Sequence, residues 1–195
     1  MRKEIIFSGF GGQGIILMGV VMARMMEQFP DLHVAQAQSY GPASRGGACR
    51  TDVVISDQQI NYPKSSRPDL MVFMSEEALK RHLSEGDPTR TLIVYDNPVI
   101  GSIPPPFTKT FAVPATRVAE EELKNRIVAN IFMLGAVIEL MVPDSFDVLK
   151  GVVRKSVPPK SEALNMKALE AGHDYYMANK QGDILPQSVP SKPYL

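Results

Sequence analysis

The sequence predicts an α/β fold: an open, largely parallel, Rossmann-like sheet with helices on both faces, then C-terminal helices and an extended tail. Three observations carry this. A short apolar run, Lys3 to Ser8, passes through the glycine cluster "GFGGQG" directly into an apolar helical stretch, the opening of a βαβ unit. Further runs of strand length, "PDLMVFMS" and "TLIVYD", are continuously apolar, as parallel strands covered on both faces are. The second half then changes to helical patterning punctuated by prolines. With 195 residues, 44% of them apolar and 22% charged, the chain fits one sizeable domain with its own core. No repeat or long linker divides it, so we expect the domain at residues 1–179 and a tail at 180–195.

Taken in order, the elements begin with Lys3 to Ser8 as the first strand and Ile15 to Phe29 as a helix apolar almost all round and therefore buried. Its methionines, Met18 to Met26, suit adaptable packing. "LHVAQAQS" is the second strand, expected to pair in parallel through the crossover. "CRTDVVIS" and "QINYP" read as two strands joined at Ser56-Asp57-Gln58. "PDLMVFMS" precedes a helix from Glu76 to about Leu83, and "TLIVYD" and "KTFAVPA" add two strands. Arg117 to Met141 is one long helical stretch closed by Pro143, with Glu120-Glu121-Glu122 as favourable charge near its start. Asp144 is placed to cap a short helix to about Arg154. After Pro158-Pro159, Ser161 opens a last helix to about Asn179, and the proline-rich remainder is expected to lie on the surface or on a partner.

Composition excludes several functions. Lysine plus arginine equals aspartate plus glutamate, 21 each, so no net field favours nucleic acid or an anionic membrane. One cysteine, Cys49, forms no internal disulfide and suits a reducing cytoplasm. One cysteine and three scattered histidines (His33, His82, His173) cannot hold an iron–sulfur cluster or a closed zinc site, so no metal ligands are assigned. The most apolar stretch, Ile127 to Val142, falls short of the ~20 residues that span a bilayer and contains Asn130 and Glu139. It reads as a buried helix or subunit contact that leaves an apolar patch when partners are absent, so the isolated chain is expected to form a homodimer. The N-terminus lacks a secretory cleavage pattern, and the expected location is cytoplasmic.

Two glycine-rich stretches are the candidate site. Gly9, Gly11 and Gly14 satisfy G-x-G-x-x-G between a strand and a helix, where backbone N–H groups can meet a phosphate. Gly12 and the amide of Gln13 add the look of an exposed functional loop. A dinucleotide also needs an acid at the end of the second strand, and that strand ends "VAQAQSYG" without one. A stand-alone Rossmann-type nucleotide-binding regulator is therefore the second reading. The second strand instead runs into "SYGPASRGGACR", combining Ser39, Tyr40, Gly41, Arg45, Gly46 and Gly47 in one loop beside Arg50. Both loops should project from the carboxyl ends of the strands, where open α/β sheets bind ligands. Arginine there can hold phosphate or carboxylate through two parallel bonds, or pair with an internal acid such as Asp52 and hold the loop. No catalytic residue is assigned. Cys49 reads as a small buried thiol, and Glu139 as an exposed helix edge or a partner of arginine or lysine.

"GFGGQG" and then "QSYGPASRGG", "YPKSSRPDLMVFMSEEAL", "NIFMLGAVIEL" and "LNMKALEAGHDYY" in order resemble the gamma subunit of the 2-oxoacid:ferredoxin oxidoreductases, the pyruvate/ketoisovalerate oxidoreductase gamma domain family. Pyruvate-type members tend to carry an arginine in the first loop and a phenylalanine-rich second motif. Phe10 and "SYGPASRGG" are more similar to the 2-oxoglutarate, branched-chain or indolepyruvate types, and we favour 2-oxoglutarate. The resemblance implies CoA-dependent oxidative decarboxylation of a 2-oxoacid to acyl-CoA and CO2, with electrons passing to ferredoxin. It implies that thiamine diphosphate, magnesium and iron–sulfur clusters belong to partner alpha, beta and ferredoxin-like subunits, and that this chain holds no redox cofactor. It also implies that Gly9, Gly11, Gly12, Gln13, Gly14, Ser39, Tyr40, Gly41, Arg45, Gly46 and Gly47 help shape the coenzyme A region.

Overall fold

The computed structural model describes residues 1–40 and 47–180. Six strands form one mixed sheet: β1 (Arg2–Phe10), β2 (His33–Tyr40), β3 (Ala48–Ser56), β4 (Leu70–Phe73), β5 (Leu92–Asp96) and β6 (Thr110–Val113). Their order across the sheet is β2-β3-β1-β4-β5-β6. β1, β4, β5 and β6 pair in parallel, whereas β3 runs antiparallel to both β1 and β2.

The α/β class is as expected, with one change of topology. β2 does not pair with β1; β3 lies between them, so β2 and β3 form a hairpin beside the parallel sheet. Ser39 and Tyr40 of "SYGPASRGG" therefore end a strand that pairs antiparallel with β3, not a crossover strand beside β1. "QINYP" is not a strand. The chain just after it is tied down by Glu4, whose Oε2 accepts from Ser65 Oγ at 2.9 Å, Ser66 N at 2.6 Å and Arg67 N at 2.7 Å. The hairpin partner expected for "QINYP" is β3, and both edges of β3 are already taken, by β1 and by β2.

The helices among the described residues are α1 (Ile15–Met26), α2 (Glu76–His82), α3 (Ala115–Glu121), α4 (Ala129–Met141), α5 (Phe146–Ser156) and α6 (Glu162–Asn179). One face of the sheet carries the main core: Ile5, Phe7 and Val53 of the strands against Met18, Met22 and Met25 of α1 and nearly all of α4. The other face packs Ile6, Met71 and Phe73 against Ala78 and Leu79 of α2 and Ile100. The expected helix from Arg117 to Met141 is broken: α3 ends at Glu121, Lys124 turns left-handed (φ 55°), and a 3-10 turn at Arg126–Val128 restarts the chain into α4. The three glutamates therefore stand at the end of α3, not at a helix start, and Glu120 pairs with Arg126 at 3.2 Å.

α4 is buried at every residue except Glu139, because α1, α3, α5 and α6 surround it. This removes the apolar patch on which the expected dimer of the isolated chain rests; of that stretch only Ile127 is well exposed, at 76%. α4 and α6 cross where Gly135 and Gly172 leave room, since a Cβ on Gly172 would overlap the carbonyl of Phe132. Asp144 does not cap α5. It adopts a left-handed turn (φ 61°) and donates its N–H to Glu139 Oε2 at 3.0 Å. Glu139 is not an exposed edge or an arginine partner; its Oε1 faces His173 Nε2 at 3.4 Å. The expected tail lies outside the described residues. No helix among the described residues is long and apolar enough to cross a membrane.

Candidate functional site

The chain leaves β1 for α1 on one face and leaves β4 for α2 on the other. The carboxyl ends of β1 and β4 therefore flank the crevice where connections diverge, the usual ligand position of an open α/β sheet. Here Gln13 fills that crevice. Its Oε1 accepts from Phe10 N at 2.5 Å, and its Nε2 donates to the carbonyl of Met74, just beyond β4, at 2.8 Å. The amide expected in an exposed ligand loop is committed to the protein backbone.

The glycines divide by role. Gly14 has φ 74° and begins α1, and a Cβ there would overlap the Asn130 amide. A Cβ on Gly9 would sit 2.6 Å from Gln13 Oε1 and Ile15 Cδ1, so Gly9 serves internal packing. Gly12 has φ 100° with open space around its Cα, and both it and Gly11 are exposed. No side chain caps α1. Its first-turn N–H groups and its positive end therefore face the loop surface, which suits an anion.

The two motifs meet. Gly11 N donates to Gly47 O at 3.0 Å, and the last rung of the β1–β3 ladder pairs Phe10 with Ala48. Ser39 stands opposite Arg50, and Tyr40 opposite Cys49, with Tyr40 66% exposed and its hydroxyl 3.3 Å from Gln38 Oε1. Gly41, Arg45 and Gly46 lie outside the described residues. The described residues that flank the second loop, Tyr40 and Gly47, lie at the same end of the sheet as the first, as the sequence implies.

Arg50 takes the internal pairing with Asp52. Its Nε and Nη2 meet Asp52 Oδ1 at 2.8 and 2.7 Å, and its Nη1 binds Glu85. Burial opposes every charge in this group. Hydrogen bonds from Arg50 and His82 nevertheless hold the Glu85 carboxyl below its usual range, while burial pushes Asp52 up. The guanidinium stays protonated between its two acids. Cys49 is buried, which raises its thiol pKa and suits packing rather than nucleophilic attack.

The arrangement can hold an anionic group by backbone N–H groups and orient it. It is not built for a dinucleotide. β3 separates β2 from the glycine loop by two strand spacings, roughly 9–10 Å, so a ribose-binding residue on β2 would stand out of position even were it acidic. Among the described residues no three of His, Cys, Asp and Glu come together as a metal site. Sequence reading did not place Asn130 against the glycine loop. Its signal was a single amide inside an otherwise apolar helix, and its Nδ2 donates to Gly14 O at 3.3 Å.

Comparison with known proteins agrees with this picture. Residues 4–175 match the family model "Pyruvate ferredoxin/flavodoxin oxidoreductase". The chain is 41% identical over 186 residues to the 2-oxoglutarate synthase subunit KorC of Methanothermobacter marburgensis, covering 93% of this chain and all of that one. Its fold is similar to the keto/oxoacid ferredoxin oxidoreductase gamma subunit of Geobacter sulfurreducens, with TM-score 0.81, 32% identity, and 93% and 99% of the two chains covered. It is equally similar, at TM-score 0.81 and 25% identity, to the 2-oxoglutarate:ferredoxin oxidoreductase of Magnetococcus marinus solved with 2-oxoglutarate, coenzyme A and succinyl-CoA bound. There 98% of this chain spans 34% of the other. With glycine loop, hairpin motif and six-stranded sheet in place, the chain belongs to the pyruvate ferredoxin/flavodoxin oxidoreductase family, as a gamma-type oxidoreductase subunit.

Proposed function

We propose that this gamma subunit serves a 2-oxoglutarate:ferredoxin oxidoreductase and that its 9–14 and 39–47 loops together form one wall of the coenzyme A site. The observation that carries the reading is the Gly11–Gly47 bond, which ties the first motif to the end of the second beside the uncapped start of α1. Coenzyme A is an anion with phosphates, and exposed glycine backbone at a helix N-terminus suits such a group. The likeness to KorC over nearly the whole chain supports 2-oxoglutarate as the oxoacid.

In the complex, 2-oxoglutarate loses CO2, its acyl group joins the coenzyme A sulfur as succinyl-CoA, and an electron pair passes to ferredoxin. This chain has no donor set for an iron–sulfur cluster, with one cysteine in the whole sequence, and that cysteine buried in the core. Thiamine diphosphate, which supplies the decarboxylation chemistry, its magnesium and the clusters belong to alpha, beta and ferredoxin-like partners. The chain's own task is to orient coenzyme A and keep its anionic part in place. Purification with native partners, and then assays over a panel of 2-oxoacids with coenzyme A, tests this. The highest kcat/KM should be for 2-oxoglutarate; a preference for pyruvate or a branched-chain oxoacid would overturn the assignment.

A further inference from the structure

Asn130 is the second residue of α4 and is 4% exposed, a polar amide in a helix otherwise packed with Ile131, Phe132, Met133 and Leu134. Burying an amide among apolar groups is costly unless it bonds, and Nδ2 bonds Gly14 O at 3.3 Å across the molecule. That carbonyl also accepts the first bond of α1, from Met18 N at 3.1 Å. Asn130 thus grips the residue at which α1 begins, and its amide occupies the space a Gly14 side chain would need. The neighbouring Gln13 is fixed from the other direction, to Phe10 N and Met74 O. The loop is braced at two consecutive residues, by α4 and by the β1–β4 crevice. Gly12 is left unbraced in open space.

We propose that Asn130 is a positioning residue: acting through Gly14, its buried amide fixes the direction of the α1 N-terminus and of the loop N–H groups that receive coenzyme A. Gln13 is the second brace of the same device. The proposal rests on the loop's assignment to the coenzyme A site, and two readouts separate them. The first is steady-state kinetics of the assembled complex. Asn130→Asp keeps the side-chain shape but turns an acceptor toward the Gly14 carbonyl, and Asn130→Ala removes the bond. Each should raise KM for coenzyme A about tenfold, the size of one hydrogen bond, with kcat and the oxoacid KM within about twofold. The second is amide hydrogen exchange on the full chain, where exchange across residues 11–18 should quicken while β4–β6 stays protected.

Gln13→Ala, at a half-buried position, removes the other brace and should give the same split even if the Asn130 variants do not fold. Unchanged exchange across residues 11–18 in all folded variants would overturn the positioning role, whatever the kinetics. Faster exchange with an unmoved KM for coenzyme A would show a real brace on a loop that coenzyme A does not use, overturning the site assignment and the proposal with it.

Discussion

Gly11 donates its N–H to the carbonyl of Gly47 at 3.0 Å, so the loop leaving β1 is tied to the residue that leads into β3. The bond extends the β1–β3 ladder one step past Phe10 and Ala48. It also fixes the end of the hairpin connection that carries Arg45.

Arg45 stands two residues before Gly47, and the coenzyme A reading gives it the anionic part of that molecule. In the assembled complex, Arg45→Ala should lower kcat/KM for coenzyme A about ten- to a hundredfold, the loss of one charge-assisted hydrogen bond of ~1.5–3 kcal/mol. Arg45→Lys should recover only part, because lysine lacks the planar fork. Wild-type kinetics at subsaturating coenzyme A in Arg45→Ala would take Arg45 out of the site.

NAD should bind no tighter than millimolar. The strand that would carry the ribose-binding acid is displaced from β1 by β3, and Gln13 fills the crevice between β1 and β4. Calorimetry giving a micromolar Kd would contradict this. A sulfate near Gly12 would not, since helix N-termini attract anions generally.

How much of the fold and site is legible in the sequence depends on whether local chemistry or tertiary competition decides. α1, β4, β5 and α6 are legible because their apolar runs and glycine or proline boundaries are local signals. The β3 insertion is not, because strand order is set by which edges pair, and "CRTDVVIS" reads alike in either direction beside β1. The glycine loop is legible as a loop, but the role of Gln13 is not. An amide after glycines looks exposed until the Met74 carbonyl arrives from another strand. The pairing of Arg50 with Asp52 lies within reach of sequence, two residues apart on one strand, whereas Glu85, its other acid, comes from beyond α2.

Glu4 offers a pH test of the fold. Burial works against its charge, yet N–H groups of Arg67 and Ser66, the Arg2 guanidinium and the Ser65 hydroxyl hold its pKa below the ordinary 4.5. A depressed folded pKa gives stability that is present above the unfolded value and lost as pH falls through the folded one. Glu4→Gln should therefore cost about 1.5–3 kcal/mol near neutral pH, and its gap from wild type should close only below pH about 4.5. Urea titrations over that range check this; a gap that stays constant into acid would contradict it.

The central claim, that this chain is an orienting subunit and carries no redox chemistry, is tested most directly by comparing the purified chain with the reconstituted complex. Iron and thiamine content and 2-oxoglutarate-dependent, coenzyme A-dependent dye reduction are measured on both. The isolated chain should be folded, free of iron and thiamine, and inactive, while the complex should turn over and lose that turnover when this chain is omitted. Robust turnover by the chain alone, or undiminished turnover by the complex without it, would contradict the account.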